Sequence, residues 1–245
     1  MTAGPLETFR DLDLGERTLI VRRGTDYCMR YVAELSDDEL NAPSLLDGWS
    51  RRHLVAHLAY NAAALSRLLD SAASGIATPM YESAAQRAQE IEGGAELEAT
   101  ALRDLLAAQT SRLADKWRRL PLRAWSTPVQ TPQGRTVPAS ETLWMRTREV
   151  WIHAVDLGNG AAFSAMPAVV QTTLLGDVVN GWRASGASVD VEGAPTGPVS
   201  VSIRENPTKE VFRVSGSLPA LLQWMTGRGA TELSPQNPPA PPRWL

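Results

Sequence analysis

Cysteine is almost absent from this chain: 245 residues hold one, Cys28. A single thiol cannot close an internal disulfide, so nothing marks a protein built for an oxidising compartment. Cys28 falls within a helical stretch, Thr25-Asp26-Tyr27-Cys28-Met29, and reads as a small core residue rather than a reactive thiol. Basic charge is not in excess either, with 24 Lys and Arg against 27 Asp and Glu and a net charge of −3. No cationic field draws the chain to nucleic acid or acidic lipid, so neither is expected as a partner. No apolar run is long enough to span a membrane. Met1-Thr2-Ala3-Gly4-Pro5 lacks the basic start and apolar stretch of a signal peptide, and the cytoplasm is the expected location. There is no G-x-S-x-G, G-x-G-x-x-G, P-loop or C-x-x-C, which argues against a serine hydrolase and against nucleotide-dependent chemistry. Histidine is scarce as well: His53, His57 and His153 are the full set.

What is present is ordinary globular material. Hydrophobic residues make up 43% and charged residues 21%. The length suits one large domain or two modest ones, with a sizeable core. Residues 14–35 read as a first helix. Ser36-Asp37-Asp38-Glu39 then has capping-box spacing and opens a short turn that Asn41-Ala42-Pro43 breaks. Ser50 is a plausible N-cap for a second long helix, where Leu54, Leu58, Asn61, Leu65, Leu68 and Leu69 recur at helical spacing until Gly75. A third helix is expected from about Glu96 to Leu120. A turn-rich stretch, Ser126 to Gly134, precedes a fourth helix from Ala139 to Leu157. Four such helices with unequal connections predict a four-helix bundle.

Beyond Gly160 the pattern changes. Pro167 to Ser185 reads as a helix, followed by short alternating strands at Ser188–Val191, Val199–Ile203 and Val211–Val214, with one wet face. Leu218 to Met225 forms a last helix, stopped at Gly227-Arg228-Gly229, and the proline-rich tail from Pro235 is extended. The fold expected is therefore α plus α+β: a bundle over residues 1–163 and a small α+β domain over 164–245. Nothing resembles a coiled-coil seam, so a monomer is the default.

The chemistry gathers on the histidines. Glu149 and His153 lie four apart, on one face of the fourth helix. They belong to a polar stripe of Arg146, Glu149, His153 and Asp156, flanked on one side by Leu143, Val150, Ala154 and Leu157 and on the other by Met145 and Ile152. An inward-facing site in a bundle has this form. On the second helix, at about 100° per residue, His57 stands roughly 70° from the centre of the leucine stripe and His53 roughly 110°, so His57 is the nearer to the core. Imidazole and carboxylate suit zinc and similar ions, and Asp156 could orient an imidazole from behind. Spacing alone leaves open both metal ligation and ordinary structural hydrogen bonding. Asn61 reads as a satisfied core amide or a pocket residue. Arg228 could grip an anion with its planar fork, or simply complement a helix C-terminus.

Three stretches carry a resemblance. Asp47-Gly48-Trp49-Ser50 with Leu54-Val55-Ala56-His57-Leu58-Ala59 is similar to the second-helix signature of the DinB/YfiT-like metal-binding bundles. Arg148 through Leu157, and Leu221-Leu222-Gln223-Trp224-Met225-Thr226-Gly227-Arg228, resemble the fourth helix and closing helix of their mycothiol-dependent maleylpyruvate isomerase branch. The resemblance implies a DinB-like bundle holding one zinc ion on His57, Glu149 and His153; Glu149 replaces a third histidine of the wider superfamily. It implies mycothiol as cofactor and cis-trans isomerisation of a dicarboxylate, maleylpyruvate, to fumarylpyruvate in gentisate breakdown. Metal would lower the pKa of the thiol, which adds to the double bond, permits rotation and leaves. Arg228 is the expected clamp for a substrate carboxylate, brought near the metal by the C-terminal domain. The competing functions are a mycothiol S-transferase, a zinc-dependent amidase or hydrolase, and a non-enzymatic helical module.

Overall fold

Residues 7–193, 197–204 and 211–244 are described by a computed structural model of the chain. The reading of the first five residues as lacking a signal peptide falls outside them. The chain divides into two compact units, Leu14–Ala161 and a second formed by the N-terminal segment to Asp13 with Ala162–Leu245.

The first unit contains α1 (Leu14–Glu34), α2 (Asp37–Asn41), α3 (Arg51–Ser74), α4 (Ala84–Ala95), α5 (Ala99–Arg119), a hairpin of β1 (Pro128–Gln130) and β2 (Thr136–Pro138), and α6 (Glu141–Asp156). Their ends follow from local chemistry. Ser36 and Glu39 form the expected capping box at α2. Ser50 caps α3 with His53 in the reciprocal position, and Gly75, left-handed at φ 75°, ends it. The leucine stripe of α3 is fully buried and packs along α5 and α6, while α1 lies along α6. That arrangement is the expected four-helix bundle.

Two details depart from the sequence reading. Residues 84–95, left without structure, form α4, and the third long helix begins at Ala99 because Glu98 is extended (ψ 147°). The stretch read as turns holds the β1–β2 hairpin, with Gly134 left-handed in its loop. α4 escapes the periodicity test because it buries little beyond Ile91, Gly94 and Ala95. It docks on α3 through the missing side chain of Gly94. A Cβ there would stand 2.8 Å from both Ala56 Cβ and Tyr60 Cε2.

The second unit joins α7 (Ala168–Ala184), an antiparallel sheet in the order β3 (Ser188–Gly193), β4 (Val199–Arg204), β5 (Phe212–Gly216) and β6 (Leu233–Ser234), and α8 (Leu218–Met225). Val199, Val201 and Ile203 of β4 are buried and alternate with half-buried serines. The bundle had been expected to start at the chain's first residue. Instead, the segment before Leu14 belongs here: Phe9 is fully buried, its N–H donates to Thr173 Oγ1 at 2.7 Å, and Arg10 pairs with Asp177 at 3.1 Å. The proline-rich tail is pinned by Trp182 and Trp224, whose indole N–H groups donate to the Pro242 and Pro239 carbonyls. No helix among the described residues is long and apolar enough to cross a membrane.

Cys28 is buried in α1 as expected, and burial pushes its thiol up to about 12. The native protein should therefore resist thiol reagents at pH 8 and react only on unfolding; fast labelling of the folded protein would contradict this. Gly24 sets how closely α1 approaches α6, because a Cβ there would lie 2.5 Å from Trp151 Nε1 and 2.9 Å from Val150 Cγ2. Gly24→Ala should destabilise the protein by about 1–3 kcal/mol in chemical denaturation. Gly93→Ala, where a Cβ meets nothing, should be neutral or stabilising by up to about 1 kcal/mol.

Candidate metal centre

Two anchors set α6 against α3. Arg51, in the first turn of α3, donates through Nε to the Leu157 carbonyl at 2.6 Å, closing the end of α6. In the core, Arg146 of α6 donates through Nη1 to the Leu58 carbonyl (2.8 Å) and to Asn61 Oδ1 (2.9 Å). Asn61 is thus a satisfied core amide. One turn along α6 from Arg146 stands Glu149, and one residue before Leu58 stands His57. The two anchors place these side chains opposite each other.

Glu149 Oε2 lies 2.9 Å from His57 Nε2 and 3.2 Å from His153 Nε2, and the two imidazole nitrogens are themselves 3.2 Å apart. The imidazole rings meet almost perpendicularly, at 88°. Behind His153, Asp156 accepts from Nδ1 at 2.8 Å and is fully buried, as the orienting role expected of it requires. Among the described residues, these three are the group of His, Cys and acidic side chains close enough to share one ion. His53 stays apart. Its Nδ1 meets Ser50 Oγ at 2.7 Å in the helix cap, and Nε2 faces Glu92 at 3.2 Å.

The electrostatics are strongly coupled. Burial would raise the Glu149 carboxyl, but hydrogen bonds and charge from His153 and His57 hold it well below the usual carboxylate range. Burial lowers His57, and Glu149 offsets this only partly. Burial also opposes charge on His153, yet its bonds to Asp156 and Glu149 carry it above the ordinary value.

The sequence reading missed Arg87. Its Nη2 lies 3.3 Å from His57 Nδ1, and its guanidinium stands 5.8 Å from the Tyr81 ring centroid. Both side chains line a cavity of about 410 Å³ with Gln130 and Thr131. Arg87 sits on α4, the helix without an apolar stripe, so periodicity offered no signal for it. Arg228 belongs to the other unit. There its N–H donates to the Gln223 carbonyl, its own carbonyl accepts from Gln223 Nε2, and Nη1 donates to the Thr226 carbonyl at 2.5 Å.

The family described as the mycothiol maleylpyruvate isomerase N-terminal domain matches residues 21–158. The chain belongs to this family. It is 41% identical to a solved crystal structure of the mycothiol-dependent maleylpyruvate isomerase, covering 98% of this chain and all of that one with a TM-score of 0.87. A crystal structure of a histidine-to-alanine mutant of that isomerase matches equally well. No curated protein sequence matches the chain. The family's N-terminal domain match contains His57, Glu149 and His153. Arg228 lies beyond it, in the part of the chain covered by the likeness to the whole isomerase.

A pH dependence follows for the metal-stripped protein. His57 and Glu149 have folded pKa values below their unfolded ones, so in the relevant windows the unfolded chain binds more protons. Their contributions are present above the unfolded values, about 6.5 and 4.3, and are lost as pH falls. His153 is raised, so its contribution is present at low pH and lost as pH rises through its folded value. Between pH 7 and 5.5, His57→Ala should make the fall in stability shallower in chelator-treated samples. An unchanged slope would contradict the assignment.

Proposed function

We propose that this chain is a mycothiol-dependent maleylpyruvate isomerase, converting maleylpyruvate to fumarylpyruvate in gentisate breakdown, with zinc held by His57, Glu149 and His153. The observation that carries this reading is the convergence of two imidazole nitrogens on one carboxylate oxygen at 2.9–3.2 Å. Asp156 accepts the Nδ1 proton of His153, which leaves the Nε2 lone pair directed at the cluster. His57 Nε2 faces it at 3.2 Å, so a cation placed there would draw on both imidazoles. Zinc ligands at about 2.0–2.1 Å in tetrahedral array lie about 3.3 Å from one another, close to the spacing here. Two histidines and one carboxylate also form a catalytic zinc set that keeps a position open.

One contact does not fit the loaded state. Ligation through Nε2 requires the proton of His57 on Nδ1, where Arg87 Nη2 now points an N–H at 3.3 Å. A bound metal would therefore disfavour this contact and leave the Arg87 guanidinium, which already lies near Tyr81 and lines the adjoining cavity, available to a carboxylate. A dianionic substrate has two carboxylates to place. Arg87 and Arg228 are each proposed as a carboxylate clamp.

When bound, the metal would supply a positive centre that lowers the pKa of the mycothiol thiol. The rest is conjugate addition and its reversal. A carbon–sulfur bond forms at the activated double bond, and the π electrons move onto the neighbouring ketone oxygen as an enolate. The former double bond turns as a single bond. The enolate then returns its electrons, the carbon–sulfur bond breaks, and the thiolate departs unchanged. An arginine clamp on one carboxylate would hold that end of the substrate while the other end swings as the bond turns.

The test is to quantify metal in the purified protein and follow maleylpyruvate with and without mycothiol. The expected result is about one zinc per chain and conversion only with the thiol, whose concentration stays constant. Stoichiometric loss of thiol would make the protein an S-transferase, and turnover without thiol would make it a hydrolase. Arg87→Ala and Arg228→Ala should each lower kcat/KM by roughly 100-fold with metal content unchanged. Full activity in either variant would remove that residue from the clamp.

A further inference from the structure

The bundle is closed where α3 meets α5 and α6 and where α1 meets α6, but α1 and α5 stand apart. Between them lies a cavity of about 490 Å³, within the size range of small-molecule sites, about 300–1,000 Å³. Its apolar surface comes from Val21 and Met29 of α1 and Leu113 and Trp117 of α5; threonines, Ser111 and the Arg22–Asp26 pair also line it, as does Arg146 of α6. None of the metal-centre side chains does.

Arg146 is only 2% exposed. Its Nη1 is committed to the Leu58 carbonyl and Asn61, whereas Nη2 makes one long bond to Thr110 Oγ1, at 3.3 Å, and Nε has no partner among the described residues. No described carboxylate lies within ion-pair distance of it. A buried guanidinium with no carboxylate in direct contact is costly to hold. The edge left unused, Nε–H beside an Nη2–H, is one on which a guanidinium binds a carboxylate through two parallel bonds. Thr110, the one residue that touches this edge, is itself part of the cavity wall.

We propose that this cavity is a binding site for an amphipathic monocarboxylate, a small acid with an alkyl or aromatic body. The carboxylate replaces the Thr110 contact and takes the Nε/Nη2 edge of Arg146, while the body lies between α1 and α5 against Val21, Met29, Leu113 and Trp117. Water could satisfy Nε but would leave those apolar walls wet. The site shares no lining side chain with the cluster of His57, Glu149 and His153, and it stands whether or not the isomerase reading holds.

Calorimetric titration of the full-length protein with octanoate and with neutral octanamide tests this. Saturable binding of one octanoate per chain is expected, with octanamide at least about tenfold weaker. Arg146→Met should erase that preference. Because this variant removes a core anchor and could unfold, Ala107→Phe serves beside it, filling the cavity from an exposed helical position. Octanoate binding should weaken by at least about tenfold in that folded variant. Equal affinity for acid and amide would show a cleft that makes no use of Arg146, and would overturn the proposal. So would undiminished binding in Ala107→Phe, or no saturable binding to the wild-type protein.

Discussion

The grip of Arg146 on α3 is the constraint on which the centre depends. A guanidinium buried in a helical bundle is expensive, and burial depresses its pKa. It is retained where it bonds the Leu58 carbonyl and Asn61 across the α3–α6 interface. Those bonds set the register of two helices whose packing alone would tolerate small slips. With that register fixed, His57 on one helix meets Glu149 and His153 on the other at hydrogen-bond distance. Gly24 does comparable work on the far side of α6. It brings α1 close enough to hold Val150 and Trp151, the residues immediately following Glu149.

The centre gathers charge from several directions. Hydrogen bonds and charge from two imidazoles hold the Glu149 carboxyl well below the usual carboxylate range. His153 is drawn toward charge by Asp156, whereas His57 is held neutral by burial. One imidazole is thus braced by a carboxylate and the other faces a cation, Arg87. A divalent ion would resolve this asymmetry, because both rings would then present lone pairs to a common positive centre. The helix that carries Glu149 and His153 also carries Arg146, one turn before Glu149. The metal centre and the α1–α5 cavity therefore share a structural member without sharing a ligand.

Much of this was legible in the sequence, for identifiable reasons. Helices with a leucine stripe and a capping serine, such as α3, declared both their extent and their phase. The polar stripe on α6 stood out because it is flanked by apolar residues on both sides, and with histidine scarce, helical phase favoured His57 over His53. α4 was illegible because it packs by the absence of a side chain at Gly94, which no hydrophobic pattern reports, and Arg87 went unseen with it. The attachment of residues 7–13 to the C-terminal unit rests on Phe9 and Thr173, more than 160 positions apart, a pairing that local rules do not reach. The spacing of Glu149 and His153 could not by itself separate a metal site from a hydrogen-bonded pair. Their convergence with His57 in three dimensions is what favours the metal.

X-ray absorption at the zinc edge, on zinc-loaded protein before and after addition of mycothiol, reads that site most directly. Two imidazole nitrogens and one carboxylate oxygen at about 2.0–2.2 Å are predicted, with a sulfur at about 2.3 Å appearing when the thiol is added. A first shell without imidazole, or one identical in His57→Ala, would contradict the assignment of His57, Glu149 and His153 as the metal's ligands.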